Sequence, residues 1–136
     1  MMEKTLIRRV NRWFTDSGQL TCIEVPLGSK RIDLVSLNLG TEAVTAVEGK
    51  ISDWRSGLLQ ALPYRLCADY VYLAVDERFA HRVDRKACSR YGVGVLAVNG
   101  TASVSLKAFP SKVIHRSLHE EVRSFVERVS RVQSRG

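Results

Sequence analysis

The sequence has no run approaching the roughly 20 apolar residues that cross a bilayer, so a membrane partner is not expected. Its opening stretch, MMEKTLIRRVNRWF, is broken by charge. It lacks the apolar centre of a secretory leader, and the expected location is the cytoplasm. Cysteine is scarce: Cys22, Cys67 and Cys88 are widely spaced and form no C-x-x-C pair. Together with His81, His115 and His119 they do not supply the close set of about four ligands that zinc needs. Buried, reduced thiols are the expectation, and the histidines read as surface residues. Repeats, low-complexity tracts and a Pro/Gly-rich linker are also missing, which leaves one domain over residues 1–136, large enough for a single core.

Basic residues, in contrast, are in excess. Twenty-one Lys and Arg face 14 Asp and Glu, giving +7. A small domain with that imbalance points to a polyanionic partner, most often nucleic acid, although solubility alone accounts for the number equally well.

Periodicity sets the element order. Leu6, Ile7, Val10, Trp13 and Phe14 recur at helical spacing, and DSGQ ends that helix. Three strand-like runs follow, TCIEVPL, RIDLVSL and EAVTAVEGKI, separated by GSK and NLGT. In SDWRSGLLQALPYRLCA, Ser52 or Asp53 can cap a helix that Pro63 should kink. DYVYLAV reads as a buried strand, ERFAHRVDRKACSRY as a helix and GVGVLAV as another strand. Asn99–Gly100 turns into TASVSLKAF. A capping box at Ser117 and Glu120 opens a last amphipathic helix carrying Leu118, Val122, Phe125, Val129 and Val132. The order is α-β-β-β-α-β-α-β-β-α, an α/β fold with a mixed sheet flanked by helices.

One strand carries an anomaly. Side chains alternate along a strand, so Glu48 and Lys50 share one face while Val47 and Ile51 take the other. If Gly40 and Thr41 make a two-residue turn, Asp33 stands directly opposite Glu48, with Cβ atoms about 4.5–5.5 Å apart. Two carboxylates so placed repel, unless a hard cation such as Mg²⁺ lies between their oxygens. Lys50 adds a positive charge at the same spot. The plainer alternative is that Lys50 neutralises one acid on a solvated sheet.

The segments RID (31–33), EGK (48–50) and QALPY (60–64) resemble the PD-(D/E)XK nuclease superfamily, with its restriction-endonuclease-like core and a RecB-type Q-x-x-x-Y motif. The resemblance covers the α-β-β-β-α-β order from about residue 2 to 75. No proline precedes Asp33, a departure that many members share. The resemblance implies a Mg²⁺- or Mn²⁺-dependent deoxyribonuclease, endonuclease rather than exonuclease. It assigns metal binding to Asp33, Glu48 and the Gly49 carbonyl, and activation of the attacking water to Lys50. Gln60 and Tyr64, four apart on a helix, would orient the phosphate or the lysine. Glu3 is a candidate further ligand and Glu24 its competitor, although a salt bridge explains Glu24 as well. Arg8, Arg9, Arg12, Arg55 and Arg65 are candidates for tracking DNA. Alternatives are a non-cleaving nucleic-acid-binding module, or a subunit targeted by a partner, either as a resolvase-like homodimer or within a larger nuclease assembly.

Overall fold

The computed structural model describes the backbone of residues 1–135 and the side chains of residues 1–130. The apolar stripe of the first segment winds into α1 (Glu3–Asp16), which buries Leu6, Ile7, Val10 and Phe14. Six strands follow in one sheet: β1 (Leu20–Leu27), β2 (Lys30–Leu37), β3 (Val44–Lys50), β4 (Tyr70–Asp76), β5 (Gly94–Val98) and β6 (Ala102–Leu106). They lie in sequence order across it. The β3–β4 and β4–β5 pairs are parallel and the others antiparallel.

Helices α2 (Trp54–Ala61), α3 (Arg85–Arg90) and α4 (Arg116–Arg135) complete the element order read from the sequence. The sheet separates two cores. On one face α1 packs against Leu34, Val47, Ala74 and Leu96. On the other, Leu58 and Ala61 of α2, Cys88 of α3 and Val122 and Val126 of α4 cover Val35, Ala46 and Leu73. Because helices cover both faces, β3 is buried along nearly its whole length.

Several local expectations are corrected. The β2–β3 connection is not a two-residue turn. It is the loop 38–43, in which the Asn38 side chain accepts from the N–H groups of Gly40 (2.9 Å) and Thr41 (3.1 Å). The extra residues fall evenly on both sides, so the register survives, with Leu34 opposite Val47 and Leu37 opposite Val44.

Asp53 caps α2 by accepting from Ser56 N–H. Pro63, lacking an N–H, ends the α-helical ladder, and a 3₁₀ turn (Leu62–Leu66) continues the chain. The helix expected over 77–91 divides into a 3₁₀ turn (Glu77–Arg82) and α3, since Val83 is extended and Asp84 caps the new helix. The capping box at Ser117 does not form: Ser117 lies inside α4, its hydroxyl on His115 Nδ1, and Glu120 pairs with Arg123. The side chain of Val132 lies outside the described residues.

One irregularity positions the site. Residues three apart on a regular strand face opposite ways, yet Cys22 and Val25 join the same core, as do Ile32 and Val35. The change of face falls at Glu24, whose φ is 58°. Its neighbours Ile23 and Val25 pair with Leu34 and Ile32, which sets Glu24 opposite Asp33. A non-glycine residue held in this region costs about 1–3 kcal/mol.

Candidate active site

The β2–β3 ladder ends at Leu34 and Val47. One step beyond it the strands part, and the Asp33 carboxylate accepts from Gly49 N–H at 2.8 Å. Gly49 faces α1, and a Cβ there would lie 2.7 Å from Ile7 Cδ1, so the helix rests directly on the strand. Glu48 and Lys50 therefore point to the opposite, α2 side, as the alternation requires. Ile51 packs with the α1 core, as expected.

Glu48 is only 4% exposed. Its carboxyl meets Asp33 and accepts from the Tyr64 hydroxyl. Burial, reinforced by the hydrogen bond to Asp33, pushes its pKa up to about 8, against the opposing effects of Tyr64 and the Lys50 charge. Glu48 is thus protonated at neutral pH, and the contact between the two acids becomes a hydrogen bond. That proton lessens the repulsion expected between the two carboxylates. Burial and the neighbouring Glu48 also hold the Tyr64 phenol well above its ordinary range, which keeps it a donor.

Lys50 has no ion pair within 4.0 Å among the described residues. The plainer reading, in which it neutralises an acid by direct pairing, is therefore not realised. Its stem crosses Gly57 of α2, where a Cβ would lie 2.8 Å from Lys50 Cγ and 2.5 Å from Leu73 Cδ1. The sequence reading missed Gly57. The available signal was a glycine inside a short helix, a position that costs about 1 kcal/mol relative to alanine.

Gln60 and Tyr64 do not share a face. The change from α to 3₁₀ winding between them leaves Gln60 exposed, bonded to Ser56 Oγ at 3.1 Å, while Tyr64 is buried. Glu3 and Glu24 line an open cleft of about 400 Å³ with Asp33, Lys4 and Arg8. Glu24 pairs with Arg31 at 3.5 Å, the salt bridge weighed for it. Among the described residues, no three or more His, Cys, Asp or Glu side chains come together as a metal cluster.

The arginines divide. Arg8 lines the cleft and Arg12 is exposed. Arg9 is tied to the Asn99 carbonyl at 2.6 Å, Arg55 stacks on Trp54, and Arg65 stacks on Tyr91. His81 and His115 are exposed, whereas His119 is partly buried with Nε2 2.9 Å from Asp69 Oδ2. All three cysteines are free and buried.

No family model matches this chain, and no curated protein does. Among solved structures, a protein of unknown function from Silicibacter pomeroyi is similar, with a TM-score of 0.73 and 18% identity. The similarity covers 98% of this chain and 91% of that one. At that identity the likeness establishes a shared fold, a six-stranded mixed sheet flanked by helices.

Two outcomes follow from the geometry around Glu48. Between its unfolded pKa near 4.5 and its folded value of about 8, the native state binds the extra proton. The stability due to that proton is complete below about pH 4.5 and is lost as pH rises toward 8, with a slope of up to about 1.4 kcal/mol per unit. Urea unfolding in chelator should show this slope in the wild type and lose it in Glu48→Gln. Identical pH profiles would refute the assignment. Gly57→Ala should be net destabilising, because overpacking costs about 1–3 kcal/mol against a helix-propensity gain of about 1 kcal/mol. A more stable Gly57→Ala variant in the same assay would show that the contact with Lys50 and Leu73 yields freely.

Proposed function

We propose that the chain is a metal-dependent DNA nuclease of the PD-(D/E)XK type, built on a restriction-endonuclease-like core. The observation that carries the reading is the meeting of Asp33 and Glu48 where β2 leaves β3, with unpaired Lys50 two residues further along the same face. Support also comes from the strand order and from the Tyr64 contact on Glu48.

The donor set suits Mg²⁺ or Mn²⁺, since Asp33, Glu48 and the Gly49 carbonyl offer hard oxygens only. Within a strand a residue's N–H and C=O point to the same side. Gly49 gives its N–H to Asp33, so its carbonyl lies on that side as well. When bound, the metal would supply Lewis acidity and lower the pKa of a coordinated water. Glu48 must first release its proton, and Tyr64 eases that step by donating to the carboxylate. Lys50 would place a fixed positive charge where charge develops on the phosphate. Arg8 and Arg12, on the exposed side of α1, would hold the backbone without reading sequence.

A second reading, a non-cleaving nucleic-acid-binding module, is favoured by the lack of a third acid at the pair among the described residues and by the raised pKa of Glu48. Incubation with plasmid, linear and branched DNA separates the two. Cleavage should require Mg²⁺ or Mn²⁺, stop in EDTA and rise with pH toward about 8 as Glu48 ionises. Lys50→Ala should reduce it about 10²- to 10³-fold, the scale of losing one fixed transition-state contact, while DNA binding in EDTA changes little. Full-rate cleavage in excess chelator would sink the metal assignment. Binding without cleavage in either cation would leave the second reading.

A further inference from the structure

A second cavity, of about 370 Å³, opens where the parallel strands begin. Tyr70, at the start of β4, pairs with Thr45, whereas Glu48 and Lys50 pair near its end. Among the described residues, the cavity is lined by Arg65, Arg90 and Lys112 and by no acidic residue. Two aromatic side chains stand open beside these cations, Phe109 at 60% exposure and Tyr91 at 39%. Open faces of this kind cost free energy in a monomer, since each leaves apolar area in water.

The walls are preformed. Phe109 N–H donates to the Gly92 carbonyl at 3.0 Å and Ser111 N–H to the Asp69 carbonyl at 2.8 Å, which fixes the segment carrying Phe109 against the turn carrying Tyr91. Arg65 is aimed as well: its Nε donates to the Leu62 carbonyl at 3.0 Å, and its guanidinium lies 5.3 Å from the Tyr91 ring centroid.

We propose that this cavity binds single-stranded nucleic acid, with bases stacked on Phe109 and Tyr91 and the backbone held by Arg65, Arg90 and Lys112. Three cations without a counter-acid among the described residues suit an anionic occupant, and exposed rings beside them match bases whose faces are free. A duplex keeps its bases stacked inside, so it can use the cations but not the rings. A second copy of the chain would bring the same three cations against themselves, which disfavours a symmetric dimer here. The proposal is independent of the reading of Asp33 and Glu48, and its test is made in EDTA so that cleavage plays no part.

Fluorescence anisotropy with a labelled oligothymidylate of about 16 nucleotides should show tighter binding than to a duplex of the same length. Phe109→Ala should weaken the single-strand affinity about tenfold, the order expected for one lost stacked base, and leave duplex affinity nearly unchanged. Arg90→Gln combined with Lys112→Gln should lower the log–log salt slope by about 1.4, or about 0.7 for each phosphate contact. All three side chains are exposed, so unchanged melting curves will certify folded variants. Single-strand binding insensitive to these changes would overturn the proposal, and so would equal losses on single and double strands. Displacement of the oligonucleotide by a polyglutamate peptide, with Phe109→Ala inert, would reassign the surface to an acidic polypeptide. A dimer in sedimentation that Phe109→Ala dissociates would reassign it to self-association.

Discussion

Burial of the Glu48 carboxyl on the central strand is the constraint around which the rest of the structure is arranged. Helices cover both faces of β3, so Glu48 on its α2 side is almost wholly removed from bulk water, while Lys50 at the strand's end is half-buried. An ionised carboxylate left alone there would cost several kcal/mol. Asp33 accepts a hydrogen bond from the protonated form, Tyr64 donates to it, and the Lys50 charge lies within electrostatic reach. Each partner depends on a larger feature. Asp33 is delivered by the change of face opposite Glu24, Tyr64 by the 3₁₀ turn that follows Pro63, and Lys50 by the absence of a side chain at Gly57.

On the proposed reading, a proton and a divalent cation compete for the same oxygens. With the proton in place the acid pair is a hydrogen-bonded unit with one negative charge fewer, and the repulsion between the two acids is relieved. Metal entry must expel that proton, so affinity becomes pH-dependent and binding releases acid. Tyr64 is well chosen for such an exchange. As a donor it favours the carboxylate, and its own ionisation is suppressed by burial and by the neighbouring acid. The protonated Glu48 is satisfied by hydrogen bonds, yet on this reading the same buried acid is prepared to become a ligand.

Much of this was legible in the sequence, for identifiable reasons. The element order followed from periodicity. The shared face of Glu48 and Lys50 followed from the strand period, which admits no other arrangement. The pairing of Asp33 with Glu48 was expected from a wrong turn type. The register it implied survives as far as Leu34 and Val47, because the loop's extra residues divide evenly about the same centre. One step beyond, where the strands part, Asp33 turns to Gly49 N–H. What could not be read was tertiary. Nothing local announces that Glu24 adopts φ 58° and reverses the faces of its strand. The separation of Gln60 from Tyr64 depends on the helix tightening at Pro63, where the sequence implied only a kink. Ser117 carried the letters of a capping box, but His115 supplies the first accepting carbonyl, to His119 N–H. The proton on Glu48 lay beyond sequence reasoning altogether, because it follows from burial on both faces together with the approach of Asp33.

A purely structural role for position 48 would be served better by glutamine. Its amide carbonyl could accept from Tyr64, its NH₂ could donate to Asp33, and no charge would need to be suppressed. Glutamic acid makes the same contacts only while protonated, and above about pH 8 it imposes a buried charge. The unpaired ammonium of Lys50 has the same character: direct pairing with Asp33 or Glu48 would be the ordinary way to stabilise the site, and the structure does not use it. Two ionisable groups are held near one another on one face, each short of its best electrostatic partner. On the proposed reading, an anion bridged to this cluster by a cation would engage both groups at once. For this reason the acid pair and the lysine are better understood together, as one incomplete electrostatic cluster, than as separate adjustments within a sheet.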